Sequence, residues 1–236
     1  MTFLEQATVR NALLARLSPA DFGVLAPHLE PVRLRLRDMV AQQHEPITHA
    51  LFPERGMISI LANTSVGQIE VGLIGREGFL GIPIALGMSK APHGFMVQAE
   101  GDAYRLDADD LRSALKSSPG LSALLLRYVH AMLAQTASTA FSNASFTLES
   151  RLARWILMTH DRADGDELSL THEFLSMMLG VARPGVTIAV QILEGNHLIR
   201  ATRGRITVLN RAKLQDLADD SYGAAEAEYV NAMGEA

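Results

Sequence analysis

The chain of 236 residues contains no cysteine and a single tryptophan. The lack of cysteine excludes disulfides, thiolate zinc sites and cysteine-ligated iron–sulfur clusters. Long apolar runs are lacking as well, since none reaches the roughly 18 to 20 residues that a membrane helix requires. The first residues, MTFLEQATVR, do not contain the apolar core of a signal peptide. We therefore expect a cytoplasmic protein with no membrane partner.

Acidic residues outnumber basic ones, 26 to 21, and the net charge of −5 alone argues against binding to nucleic acid. The basic residues are nevertheless concentrated, because six of them lie between positions 183 and 213 with Glu194 as the one acid among them. A localised basic surface attracts phosphate whatever the net charge. The acidic segment 219–236 offsets this patch in the total. On charge alone, a basic hairpin that only aids solubility is an open alternative.

Periodicity indicates an α+β fold. Residues 1–29 have a helical pattern, with a helix start at Ser18-Pro19. From about 31 to 106 apolar and polar residues alternate between turn glycines and prolines, which is typical of the short strands of an antiparallel β-roll resembling a jelly roll. Helix returns at 106–115. The sequence thus predicts a β-roll with flanking helices.

A much longer helix is predicted from about Pro119 to the small polar stretch 142–145. Its apolar residues have coiled-coil-like spacing, which favours pairing with an identical helix. A long core helix within a single subunit is the alternative. The residues that we predict at the dimer interface are Leu121, Leu125, Tyr128 and Met132.

Residues 169–208 predict a helix, a short turn, a second helix and a hairpin. Gly180 is placed to end the first helix, and the second begins near Arg183 with Pro184 in its first turn. A hairpin follows, turning at Arg203-Gly204. This is the layout of a winged helix-turn-helix, whose second helix enters the DNA major groove. The residues that we expect to contact DNA are Arg183, Thr187 and Gln191 on that helix, and Arg203 and Arg205 on the hairpin.

The order of these elements resembles that of the Crp/Fnr family of bacterial transcription regulators, over about residues 10 to 215. The resemblance is carried by the stretches FPERGMIS, GREGFLGIPIALG, NASFTLESRLARWIL and LTHEFLSMMLGVARPGVT. It implies that Arg183 contacts guanine. The family's next contacts, an acid and a second arginine, are replaced here by Pro184 and Ile188. It also implies a homodimer on double-stranded DNA, with RNA polymerase as a candidate partner.

The effector pocket that this resemblance implies departs from the family pattern. Members that bind cyclic nucleotides use a Gly-Glu pair for the ribose and an Arg-Ser/Thr pair for the phosphate. The corresponding positions here are Gly81-Ile82 and His93-Gly94. Ile82 cannot accept a hydrogen bond, and His93 is a weak substitute for a permanently charged guanidinium. We therefore expect an unknown small-molecule effector, apolar in character rather than cyclic AMP, with Gly81, Ile82 and His93 as pocket candidates.

No enzyme is predicted, because nothing in the sequence resembles a nucleophile–base pair. The eight histidines lack the spacing of metal ligands, and the glycines at 75, 78 and 81 are typical of turns rather than of a phosphate-binding loop. One histidine is enough to ligate haem iron, but none here is marked for that role. We accordingly assign no catalytic residue, no metal ligand and no cofactor.

These observations predict four regions: a sensor β-roll at 1–116, a dimerisation helix and hinge at 117–145, a winged helix-turn-helix at 146–218 and an acidic tail at 219–236. The function that fits them best is a homodimeric, sequence-specific transcription regulator that reads a palindromic site and responds to a small ligand. The alternative is a sensor module of the cyclic-nucleotide-binding type that acts through protein contacts, with a vestigial winged helix.

Overall fold

The structure is a computed structural model that describes residues 4–64 and 67–234. Its internal contacts divide the chain into two compact units. Unit 1 comprises Met1–Leu61, Leu73–Met132 and Tyr229–Ala236, and unit 2 comprises Ala62–Gly72 and Leu133–Glu228. The long helix predicted from the sequence therefore contributes residues to both.

Unit 1 contains the predicted antiparallel β-roll except for residues 62–72, which belong to unit 2. The elements up to the long helix are α1 (Ala12–Arg16), α2 (Pro19–Leu25), β1 (Glu30–Leu34), β2 (Met39–Ala41), β3 (His49–Pro53), β4 (Met57–Thr64), β5 (Gly67–Ile74), α3 (Ile82–Ala85), β6 (Gly94–Ala99), β7 (Gly101–Asp107) and α4 (Ala108–Ser117). One sheet has the order β1-β7-β3 and the other β2-β6-β4-β5. Ser18 caps α2 as predicted, because its hydroxyl accepts a hydrogen bond from the Asp21 amide.

The long helix α5 (Pro119–Ser145) packs its first half on an aromatic cluster of unit 1. Phe52 stacks on Phe79 with ring centroids 5.5 Å apart, and Tyr128 of α5 tilts against Phe79 at the same distance. Gly78 makes this approach feasible, since a Cβ there would lie 2.0 Å from the Tyr128 hydroxyl oxygen. This face of α5 therefore belongs to the subunit core.

This burial does not favour the predicted placement of the dimer interface. Leu121, Leu125, Tyr128 and Met132 are only 0%, 1%, 2% and 7% exposed within the isolated chain. Side chains that are already buried have almost no surface left to cover when a second subunit binds. At this face the structure follows the alternative interpretation, a core helix within one subunit.

Unit 2 contains a helical core with a small sheet. Its remaining elements are α6 (Leu148–Arg162), β8 (Glu167–Leu168), α7 (His172–Leu179), α8 (Arg183–Gly195), β9 (Ile199–Thr202), β10 (Arg205–Val208), α9 (Arg211–Ala218) and the start of α10 (Ala224–Met233). The sheet has the order β8-β10-β9. Trp155 of α6 lies in the core. The acidic segment after position 218 contains a 3₁₀ turn and α10.

Of the described helices, none alone is long and apolar enough to cross a membrane. The pair α7 and α8 meets the length and composition criteria together, but it bends by 105° between the two helices. Each of these helices buries one apolar face in unit 2. A bend of this size, after a turn of three residues, is typical of a helix-turn-helix.

Candidate DNA-binding surface

Local sequence signals form the turn between α7 and α8. The Thr171 hydroxyl caps α7 by accepting a hydrogen bond from the Phe174 amide. Gly180 ends the helix with a φ of 63°, a left-handed conformation that glycine adopts without strain. A Cβ at Gly180 would also lie 2.9 Å from the Cδ1 atom of Ile69. Both the conformation and the close approach therefore favour glycine at this position.

The outward face of α8 carries most of the predicted base-reading residues. Val186, Ala189, Val190 and Leu193 are buried, which fixes the rotation of the helix. Arg183, at the first position of the helix, and Gln191 are exposed. Arginine suits the O6 and N7 atoms of guanine, and glutamine suits the N6 and N7 atoms of adenine. These two side chains are consequently placed where a DNA major groove would meet the helix.

Thr187 is less available for contact with DNA than we expected from the sequence. It is half-buried, and its hydroxyl donates a hydrogen bond of 3.0 Å to the Arg183 carbonyl. The same oxygen lies 3.2 Å from Nδ1 of His172 on α7. Because the hydroxyl is engaged at the contact between the two helices, it positions α8 rather than facing outward as freely as Arg183 does.

The hairpin β9–β10 forms the predicted wing, with Thr202 paired to Arg205 across the turn. Arg203 is exposed at the turn itself, beside Gly204 with a φ of 77°. Arg205, in contrast, lies 3.0 Å from a Glu167 carboxylate oxygen. Both of these side chains are well exposed, and an exposed pair of this kind contributes only about 0–1 kcal/mol. A phosphate would have to displace Glu167, so Arg203 is the better phosphate contact.

Arg211 lies in the predicted basic segment, yet it has a structural role. Its guanidinium donates hydrogen bonds to Asp161 Oδ1 at 2.6 Å, to the Tyr222 hydroxyl at 2.8 Å and to His160 Nδ1 at 2.9 Å. Tyr222 in turn donates to the second Asp161 oxygen. Burial, followed by the hydrogen bond with Asp161, raises the pKa of Tyr222. The basic surface is therefore smaller than the residue count suggested.

Sequence reasoning missed a buried arginine on α6. Arg154 is 1% exposed, and its Nη2 atom donates to the Thr139 hydroxyl at 3.0 Å. Burial lowers the pKa of Arg154 to about 10, while the carboxylates of Glu226 and Glu70 act in the opposite direction. We call Arg154, Thr139, Glu70 and Glu226 the buried arginine cluster. Its members are far apart in sequence, so no local pattern reveals it.

The pocket candidates of unit 1 are only partly accessible. Gly81 is buried, and a Cβ there would lie 2.6 Å from the Phe79 ring. Ile82 begins α3 and is half-buried, as is His93. Burial, and to a lesser extent the nearby His44, lowers the pKa of His93. Apolar residues close to these positions in the sequence are core residues, namely Phe79, Leu80, Ile84 and Phe95.

Two cavities in unit 1 are lined by other residues. One of about 410 Å³ lies beside Arg16, Asp21 and Arg127, and one of about 260 Å³ lies beside His28, His49 and Asp107. Both linings are charged, unlike the apolar pocket that the sequence predicted. Among the described residues, no three or more histidine, aspartate or glutamate side chains are grouped to hold a metal ion.

Comparison with known proteins identifies one domain of the chain and similar folds. Residues 150–217 match the Crp-like helix-turn-helix domain. Comparison with curated protein sequences gives no match. Among solved structures, FixK2 from Bradyrhizobium japonicum is similar with a TM-score of 0.71 and 14% identity, over 81% of this chain and 98% of that one. A transcriptional regulator of the Crp/Fnr family from Eubacterium rectale is similar with a TM-score of 0.68 and 17% identity, over 88% of this chain and 97% of that one.

A third similar structure is the c-di-GMP-responsive regulator CLP from Xanthomonas campestris, with a TM-score of 0.66 and 14% identity over 81% of this chain and 99% of that one. The elements define a protein that joins an antiparallel β-roll to a winged helix-turn-helix. More particularly, the chain has the fold of the Crp/Fnr transcription regulators and carries a Crp-like helix-turn-helix domain. The resemblance found in the sequence is thereby confirmed.

Proposed function

We propose that the chain is a homodimeric transcription regulator that reads a palindromic DNA site through α8. The observation that carries this proposal is the exposure of Arg183 and Gln191 on the second helix of a Crp-like helix-turn-helix domain. Their side chains complement base edges in the major groove, and Arg203 on the wing complements phosphate. In bacteria such a regulator acts in the cytoplasm, where RNA polymerase is its candidate partner at the promoter.

A second stripe on α5, opposite the buried one, supports the homodimer. Its members are exposed and follow one another at alternating intervals of three and four residues, the spacing of a coiled-coil seam. We call them the exposed α5 stripe: Ala123, Leu126, His130, Leu133, Ala137, Ala140 and Ala144. Leu126 and Leu133 are 51% and 65% exposed in the isolated chain. A second copy would cover these leucines, and the alanines after them permit close approach of two helices.

A two-fold axis along this stripe has a consequence for the DNA site. Each subunit would present one α8, and two such helices read half-sites about 34 Å apart, or one turn of DNA. The site should accordingly be a palindrome. For unit 1 we propose a small effector other than a cyclic nucleotide, because Ile82 and His93 offer neither the acceptor nor the fixed charge that such a ligand requires.

Selection of bound sequences from random duplex DNA tests this function. We expect the purified full chain to enrich one palindrome, and Arg183→Ala to lose that preference. Arg35→Ala is the matched control, since Arg35 is also exposed but belongs to unit 1. Selections with and without an extract of small metabolites would report an effector. Failure of the wild-type chain to enrich any sequence would favour the alternative of a sensor that acts through protein contacts.

A further inference from the structure

The outward face of α8 is not uniformly polar. Ile188 is 56% exposed and Ile192, one turn later, is 40% exposed. Single exposed apolar residues are common on protein surfaces. Here two isoleucines are neighbours on one helix, on the side turned away from the buried Val186 and Leu193. They also flank Gln191, which we have assigned to base reading. A helix that faced only water would more commonly be polar over this whole surface.

The position of Ile188 on the helix is central. With 3.6 residues per turn, Ile188 lies on the outward face between Pro184 and Gln191, nearly opposite the buried residues. When α8 lies in the major groove, the middle of that face comes closest to the base edges. A side chain placed there has no hydrogen-bonding group, so its contact must be with an apolar part of the bases.

The major groove offers one large apolar group to such a side chain, the 5-methyl group of thymine. Guanine and adenine present hydrogen-bonding atoms at this edge, and cytosine presents an amino group. Covering those groups with isoleucine would leave them without water or another partner, which is costly. The apolar face of α8 therefore complements thymine and disfavours a G·C pair at the same place.

We propose that Ile188, with Ile192 beside it, reads thymine methyl groups in each half-site. This inference rests on the proposed function and adds a base to the predicted site. Five residues of helix separate Ile188 from Arg183, an advance of about 7.5 Å. Base pairs are stacked about 3.4 Å apart. The thymine consequently lies about two base-pair steps from the guanine that Arg183 contacts, and Gln191 is near enough to read an adenine next to it.

Replacement of thymine by deoxyuridine in the selected site tests the proposal, because it removes only the methyl group. We expect deoxyuridine at one position of each half-site to weaken binding about fourfold per half-site, which corresponds to burial of one methyl group. Deoxyuridine elsewhere should have little effect. In Ile188→Ala, which keeps a strong helix former at an exposed position, thymine and deoxyuridine should bind equally. Leu36→Ala is the matched control, since Leu36 is a similarly exposed residue of unit 1.

The outcomes separate this proposal from the one on which it rests. If selection yields a palindrome but deoxyuridine is tolerated at every thymine, the proposed methyl contact is refuted. The proposed function as a transcription regulator is not refuted by that result. If Ile188→Ala and the wild type discriminate equally between thymine and deoxyuridine, the methyl contact is also refuted. Ile188 and Ile192 would then be left as a surface for another protein. If no sequence is enriched at all, both proposals are wrong.

Discussion

Arg183 and Arg203 occupy different positions on the candidate DNA-binding surface, and their removal should affect DNA binding in different ways. Arg183 is exposed at the start of α8, where we propose that its guanidinium contacts guanine. Arg183→Ala should cost about 1–3 kcal/mol on the preferred site and relax discrimination at one base pair of each half-site. Titrations against the site and its single-base variants measure this. Equal weakening on all duplexes would show that the recognition helix is misassigned.

Arg203, at the turn of the wing, should instead contribute to DNA affinity whatever the base sequence of the DNA. Arg203→Ala should weaken all duplexes similarly and reduce the slope of log affinity against log salt by about 0.9 for each phosphate that the variant no longer neutralises. Arg205→Ala is the informative comparison, because Arg205 is paired with Glu167 and should change the slope less. A larger effect at Arg205 than at Arg203 would mean that DNA displaces Glu167.

His93 makes the stability of unit 1 depend on pH, and the sign of this dependence follows from the burial of His93. Its pKa is lowered from the usual 6.5, so the unfolded chain takes up a proton more readily than the folded one. The contribution of neutral His93 to the free energy of unfolding is therefore complete above pH 6.5 and is lost as the pH falls below that value. His93→Gln should flatten the dependence of unfolding on pH between about 7 and 5. His197→Asn, at an exposed histidine of unit 2, serves as the reference variant.

The helix-turn-helix was predictable because its signals are local. The apolar spacing of α8, its first-turn proline and the glycine that ends α7 each act within a few residues. The proposed interface on α5 was not predictable in this way, because the helix has heptad-spaced residues on two opposite faces. The close approach of Gly78 and Tyr128 decides which face enters the core, and these residues are 50 positions apart.

The exposed α5 stripe leads to a test of the dimer. Leu126→Glu combined with Leu133→Glu should produce monomers, because two carboxylates would face their symmetry mates across the seam. Affinity for the palindrome should fall with the loss of the second half-site. Sedimentation measures the mass, and the substitution of Leu36 by Glu is the control at an exposed leucine elsewhere. A double variant that sediments as a stable dimer would place the interface on another surface.

The buried arginine cluster brings together, in unit 2, side chains from parts of the chain that show no relation to one another in the sequence. Glu70 comes from β5, Thr139 from α5, Arg154 from α6 and Glu226 from α10. The amide of Gly223 also donates to Glu226, which orients that carboxylate. The acidic segment after position 218 was therefore predictable in its charge but not in its role, since the arginine it faces lies more than 60 residues earlier.

Removal of Arg154 should consequently destabilise unit 2 strongly. Arg154→Ala removes a cation that interacts electrostatically with Glu226 and with Glu70, which is fully buried. Loss of one partner from a buried ion pair costs about 3–5 kcal/mol. Denaturant titration should show this cost, and Glu70→Gln added to Arg154→Met should recover a substantial part of it, because the buried carboxylate charge is then removed together with the cation. Arg200→Ala, at an exposed arginine of the same unit, provides the reference. If Arg154→Ala unfolds like that reference, the cluster contributes packing without a net electrostatic effect.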